Sequence, residues 1–150
     1  MSGADLATLY QSLVLEHNRH PRHAGPIANP THHALGANPL CGDRLELWLT
    51  LHGGRIGAIG YAIEASALTR AMTSMMAEHV YGRPGADARA LARHMLASCR
   101  PQGRLDPADV GPLANWQGVL AHPNRIKSLT LPWATLLAAL DGHGQASTEA

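Results

Sequence analysis

The sequence predicts an α/β fold of the α+β kind, in which a small antiparallel sheet is covered on one face by helices. Three observations carry that prediction. Residues 44–51 alternate strictly, with Leu45, Leu47, Leu49 and Leu51 on one face and Arg44, Glu46, Trp48 and Thr50 on the other, which is the pattern of a half-buried strand. Gly53-Gly54 then supplies a tight turn and Ile59, Tyr61 and Ile63 alternate again, so 44–64 reads as a β-hairpin. Nearly everywhere else the apolar residues recur at helical spacing.

The elements follow in chain order. Leu6, Leu9, Tyr10, Leu13, Val14 and His17 define an amphipathic helix over 5–19, opened by Asp5 and ended before Pro21. A third strand around 33–37 is expected to pair with the hairpin. Leu68, Met72, Met75, Met76, His79 and Val80 mark a helix over 67–81, stopped by Gly82-Arg83-Pro84-Gly85, and the methionines there read as core packing. Ala88, Leu91, Ala92, Met95, Leu96 and Cys99 mark another over 86–99, and Leu113, Trp116 and Leu120 a short one. Leu129, Trp133, Leu136, Leu137 and Leu140 mark a final helix whose Pro132 should fall in its first turn, capped by Ser128 or Thr130. A single domain is expected over 1–140, with 141–150 as a disordered tail.

Composition narrows the function. The net charge is +1, with 11 Arg and one Lys spread along the chain, which argues against a nucleic-acid partner. The longest apolar stretches are far shorter than the roughly 20 residues needed to span a bilayer, so no membrane role is expected. Cys41 and Cys99 do not form a secretory disulfide framework and the N-terminus lacks a signal-peptide layout, which points to the cytoplasm. The ten histidines, including the group His17, His20, His23, His32 and His33, read as scattered surface residues rather than a metal site.

One of the two cysteines lies in the stretch NPLCGDRLEL, between a turn signal and an aspartate at the threshold of a strand. Extending the ladder from a two-residue Gly53-Gly54 turn would set Cys41 opposite Ser66, bringing Cys41, Asp43 and Ser66 together at one end of the hairpin unless a bulge shifts the register. Ser66 reads most simply as a helix N-cap, and a helix N-terminus favours a thiolate. Cys99, on an apolar helix stripe, reads as a buried inert thiol.

This arrangement resembles the SufU branch of the IscU/NifU-type iron-sulfur cluster assembly proteins from about Leu9 to Leu140. The resemblance rests on Leu9-Tyr10, His17 and Pro21-Arg22; on Asn38-Pro39-Leu40-Cys41-Gly42-Asp43; on Ser74-Met75-Met76; and on Arg125-Ile126-Lys127, Leu129-Thr130-Leu131 and Trp133. Residues 83–104 look like the insertion of that branch, and Lys127 stands where the IscU branch has a histidine. The resemblance implies a metal site of three cysteines and an aspartate. Here the matching positions are Cys41, Asp43, Ser66 and Ser128, so two thiolates are replaced by hydroxyls, which are poor ligands for zinc or an iron-sulfur cluster. Zinc or cluster binding is therefore expected to be weak or absent. The implied role is that of an accessory or degenerate scaffold working with a SufS-like cysteine desulfurase and other iron-sulfur assembly proteins. In it Cys41 is the candidate persulfide acceptor, and Arg125 and Lys127 are charge partners. The alternative is a metal-free module that docks to the desulfurase and modulates it. An independent thiol enzyme would need a histidine beside Cys41, which the sequence does not place.

Overall fold

A computed structural model describes residues 3–148. Helix α1 (Gly3–Arg19) leads through an irregular segment to β1 (His32–Asn38), β2 (Asp43–His52) and β3 (Arg55–Glu64). Then come α2 (Ala67–Val80), α3 (Gly85–Ser98), the short α4 (Pro107–Val110), a 3-10 helix (Gly111–Ala121), α5 (Pro123–Leu140) and β4 (Gln145–Ser147). The sheet runs β3-β2-β1-β4. Its three larger strands are antiparallel as the alternation predicts, because Leu45, Leu47 and Leu49 of β2 and Ala34 of β1 all point into the helical layer and are buried. α5 lies against β1 and β2, and α2 against α1, β3 and α5. The shared core includes Met72, Met76, Trp116, Leu129, Trp133 and Leu136.

Four expectations need correction. The tail is structured as far as the described residues go, since β4 adds to the edge of β1 in parallel, giving four strands rather than three. The last helix begins at Pro123, whose missing N–H suits the first helical position. Pro132 thus lies inside the helix, and neither Ser128 nor Thr130 caps it; the N-cap is His122, without a side-chain bond. A proline there costs about 3 kcal/mol, and burial of Leu131, Pro132 and Trp133 at its own turn offsets it. The third correction is in the hairpin. His52 pairs with Arg55 and Leu51 with Ile56, but Thr50 pairs with Ala58, so Gly57 is a bulge residue. Beyond it the register is shifted by one, and the extended ladder sets Gly42, not Cys41, opposite Ser66.

Nor is His17 a surface histidine. It is 4% exposed, and Nδ1 lies 2.8 Å from the Ser74 hydroxyl and 3.4 Å from Arg22 Nη1. An arginine can only donate, so Nδ1 is the accepting nitrogen and the serine hydroxyl donates to it. The Ser74 oxygen in turn accepts the Arg22 backbone N–H at 2.9 Å, the Tyr61 hydroxyl donates to the Arg22 carbonyl at 2.9 Å, and the guanidinium meets Glu16 and Glu78, each at 3.1 Å. The turn after α1 is thereby fastened to α2 and β3. Burial first, then the Arg22 cation, holds the His17 imidazole below its ordinary value of 6.5, with His79 adding to Arg22 and with Glu78 and Glu16 pulling the other way. The unfolded chain therefore takes up this proton at higher pH than the native one. The contribution is complete above about pH 6.5 and is lost as pH falls through the folded value. Thermal melts should show a midpoint that declines below pH 6.5, and His17→Gln should lower the midpoint at pH 8 while flattening that acid slope.

Candidate functional site

At one end of the sheet the chain turns from β1 into β2 through Pro39, Leu40, Cys41 and Gly42. The turn closes with the Cys41 N–H on the Asn38 carbonyl at 3.0 Å and the Gly42 N–H on the Pro39 carbonyl at 3.3 Å, and Gly42 takes φ +74°, where a side chain would be strained. Leu40 is 86% exposed and Cys41 is exposed beside it. Asp43 faces the other way. It is 3% exposed, and its oxygens accept three hydrogen bonds, from the Ser66 backbone N–H at 3.1 Å, from the Thr69 hydroxyl at 3.2 Å and from the Asn38 side-chain amide at 3.3 Å. The same Asn38 amide donates to the Lys127 carbonyl at 3.2 Å.

The two serines part company. Ser66 is the N-cap of α2, its oxygen accepting the Thr69 N–H at 3.4 Å. Thr69 has one hydroxyl proton and gives it to Asp43, so the 3.2 Å contact between the Ser66 and Thr69 hydroxyls is donated by Ser66. Protons therefore run from Ser66 through Thr69 to Asp43. Ser128 lies half-buried in the second turn of α5, next to the Lys127 carbonyl that Asn38 reaches. Pro132 cannot return a backbone donor to the Ser128 carbonyl. Arg125 points elsewhere, donating to the Tyr10 hydroxyl of α1 at 3.0 Å. Cys99 is the C-cap of α3, 4% exposed, and burial pushes its thiol up to about 12. Asn38 and Thr69 are the participants that sequence reasoning missed; the spacing of Thr69 three residues after Ser66 was the available signal, since that is where a cap bonds.

The profile of the NifU-like N-terminal domain family matches residues 9–128. The chain belongs to that family. It is 30% identical over 133 residues to the zinc-dependent sulfurtransferase SufU of Bacillus subtilis, covering 89% of this chain and 90% of that protein. It is 32% identical over 142 residues to the iron-sulfur cluster assembly scaffold protein IscU of Streptococcus pyogenes, covering 93% and 87%. The crystal structure of a putative SUF-system iron-sulfur cluster assembly scaffold from Fervidobacterium islandicum superposes with a TM-score of 0.81 at 26% identity, covering 89% of this chain and 97% of that one.

Against its family this member is short of cysteines, with two in the whole chain and one of those in the core. The donor set at the turn does not fit zinc. A structural zinc takes four donors, by preference thiolate or imidazole. Here there are one thiol, one carboxyl already holding three donors and a hydroxyl already serving as a cap. Among the described residues no three His, Cys, Asp or Glu side chains group so as to hold a metal ion, and no helix is long and apolar enough to cross a membrane.

Two measurements check this geometry. Alkylation of the native protein near pH 8 should add one label, lost in Cys41→Ser, while denaturation should admit a second at Cys99. Asp43→Ala strands the Thr69 hydroxyl and the Ser66 and Asn38 N–H groups, so urea unfolding should register a loss of about 3 kcal/mol.

Proposed function

We propose that this protein is an accessory, metal-independent member of the iron-sulfur assembly machinery that takes sulfur from a cysteine desulfurase onto Cys41. The observation that carries the reading is the contrast between neighbours: an exposed thiol at the tip of a closed turn, and a buried Asp43 whose oxygens are occupied inward. Asp43 orients the turn; it is not free to grip a metal. The relatives are by name a sulfurtransferase and assembly scaffolds, which supports a sulfur-handling role for the same turn.

The chemistry needs little apparatus. The Cys41 thiolate attacks the outer sulfur of the desulfurase persulfide, the sulfur–sulfur bond breaks, and the desulfurase cysteine leaves as thiolate. Cys41 then carries the sulfane sulfur, and no net oxidation occurs. Lys127, whose carbonyl Asn38 holds, and Arg125, which reaches Tyr10, are the charge partners that the resemblance implies. Ser66 and Ser128 hold the positions of absent thiolates without their donor strength.

A second reading is supported by Leu40, a large apolar side chain 86% exposed beside the thiol: a module that docks to the desulfurase and modulates it without accepting sulfur. Incubation with desulfurase and cysteine, followed by intact mass, separates the two. One added sulfur, absent in Cys41→Ser, is the expected result; a stable complex without that mass supports docking alone. Protein purified from zinc-supplemented medium should hold clearly substoichiometric zinc, and a chelator should leave its melting midpoint unmoved. A full equivalent of zinc bound through Cys41 and Asp43 would contradict the metal-independent reading.

A further inference from the structure

The outward face of the sheet, away from the helices, carries a groove of about 720 Å³ bounded by Leu35, Ala37, Ala62 and β4, with Arg44 and Glu64 toward the Cys41 end. One wall is the edge of β1, and the chain's own C-terminal segment sits on that edge. Leu35 pairs with Gln145, Gly36 with Ala146 and Ala37 with Ser147, and the Leu35 N–H donates to the Gly144 carbonyl at 2.8 Å.

This occupant is poorly made for its place. Gln145 and Ser147 are exposed, Ala146 is half-buried, and Leu35 remains 44% exposed with β4 seated beside it. Ordering a strand costs backbone entropy that polar, solvent-facing side chains do little to offset. The inward position holds a small residue in both strands, Gly36 in β1 and Ala146 in β4. Gly36 lies so close to α5 that a Cβ there would collide with Thr135 and press on Leu131, and its neighbour Ala146 packs against the core on that side. The positions on either side face the groove next to Leu35 and Ala37, where apolar side chains would bury surface that Gln145 and Ser147 leave wet. The segment is joined to α5 through a glycine-containing stretch. Arg89 clamps the end of that helix through Asp141 at 2.7 Å and the Leu140 carbonyl at 3.0 Å, and Gly142 and Gly144 lie between clamp and strand.

We propose that the outer edge of β1 is a strand-accepting site for an extended segment of a partner polypeptide with an apolar-small-apolar pattern, and that Gln145–Ser147 are its displaceable resting occupant. Strand addition draws affinity from backbone hydrogen bonds and specificity from alternate side-chain positions, and a sheet edge closed by only three residues leaves room for it. The occupant also touches the Cys41 turn: the Thr148 hydroxyl bonds the Asn38 side-chain oxygen, and Asn38 holds Asp43. Displacing the tail would free Asn38, so a partner on this edge would be felt at the turn.

The test uses the full chain and the acetylated peptide Gly-Val-Ala-Val-Thr, with Gly-Val-Leu-Val-Thr as the control whose central residue is too large. Two variants move the tail in opposite directions. Ala146→Leu should push it off α5, speeding hydrogen exchange at the Leu35 amide and tightening binding of the Val-Ala-Val peptide about tenfold, because an intramolecular competitor at high effective concentration is removed. The double variant Gln145→Val with Ser147→Val should slow that exchange and weaken peptide binding. The Leu-centred peptide should bind none of the three proteins. Equal peptide affinity across the three, or Leu35 exchange unchanged by either variant, would overturn the proposal. The double valine variant adds no bulk to the core and decides the matter alone if Ala146→Leu does not fold.

Discussion

Asp43 ties the β1–β2 turn to two distant elements, α2 directly and α5 through Asn38. Its carboxyl accepts from the backbone N–H of Ser66, the N-cap of α2, from the Thr69 hydroxyl in the first turn of that helix, and from the amide of Asn38 at the end of β1, which also reaches the Lys127 carbonyl of α5. A buried carboxyl is tolerable only with such partners, and once it has them it fixes where β1 ends, where β2 and α2 begin, and where α5 passes. The turn between β1 and β2 has little freedom left. Cys41 is exposed because the turn's two ends are pinned inward.

The same arrangement explains how a member of a cysteine-rich site family holds its site together with so few thiolates. A metal shared by several elements is a cross-link, and so is a hydrogen-bonded node. In this chain the serine at position 66 caps a helix, its proton passes to Thr69, and Thr69 completes the shell of Asp43. The hydroxyl is a weak metal ligand but an effective link in such a relay. The site's architecture is thus kept by neutral donors around one carboxyl, leaving the Cys41 thiol exposed.

A second node fastens the middle of α2. His17, Ser74, Arg22 and Tyr61 bind the turn after α1 onto the helix and onto β3. Both nodes sit on α2, one at its N-cap and one near its middle, so this helix is the spine against which sheet and N-terminal helix are positioned. Its methionines supply the adaptable packing between the two, and Met75 accepts the Trp116 indole N–H at 2.9 Å.

The sequence by itself determined the periodic parts. Alternation from Leu45 to Leu49 and the Gly53-Gly54 turn specify a hairpin with one buried face, and the spacing of Leu68, Met72, Met75 and Met76 specifies a helix, because side-chain period follows directly from backbone geometry. The capping role of Ser66 was legible for the same local reason. Only the tertiary structure decided what depends on contacts between distant residues. The bulge at Gly57 moved Ser66 from Cys41 to Gly42. Pro132 was accommodated mid-helix by the burial around it. A polar tail too weak to form structure alone gained a strand from the free edge of β1. Asn38 and Thr69 became partners of Asp43 because a buried carboxyl takes whatever donors the fold delivers, and nothing in the spacing of residues 38, 43 and 69 announces that meeting.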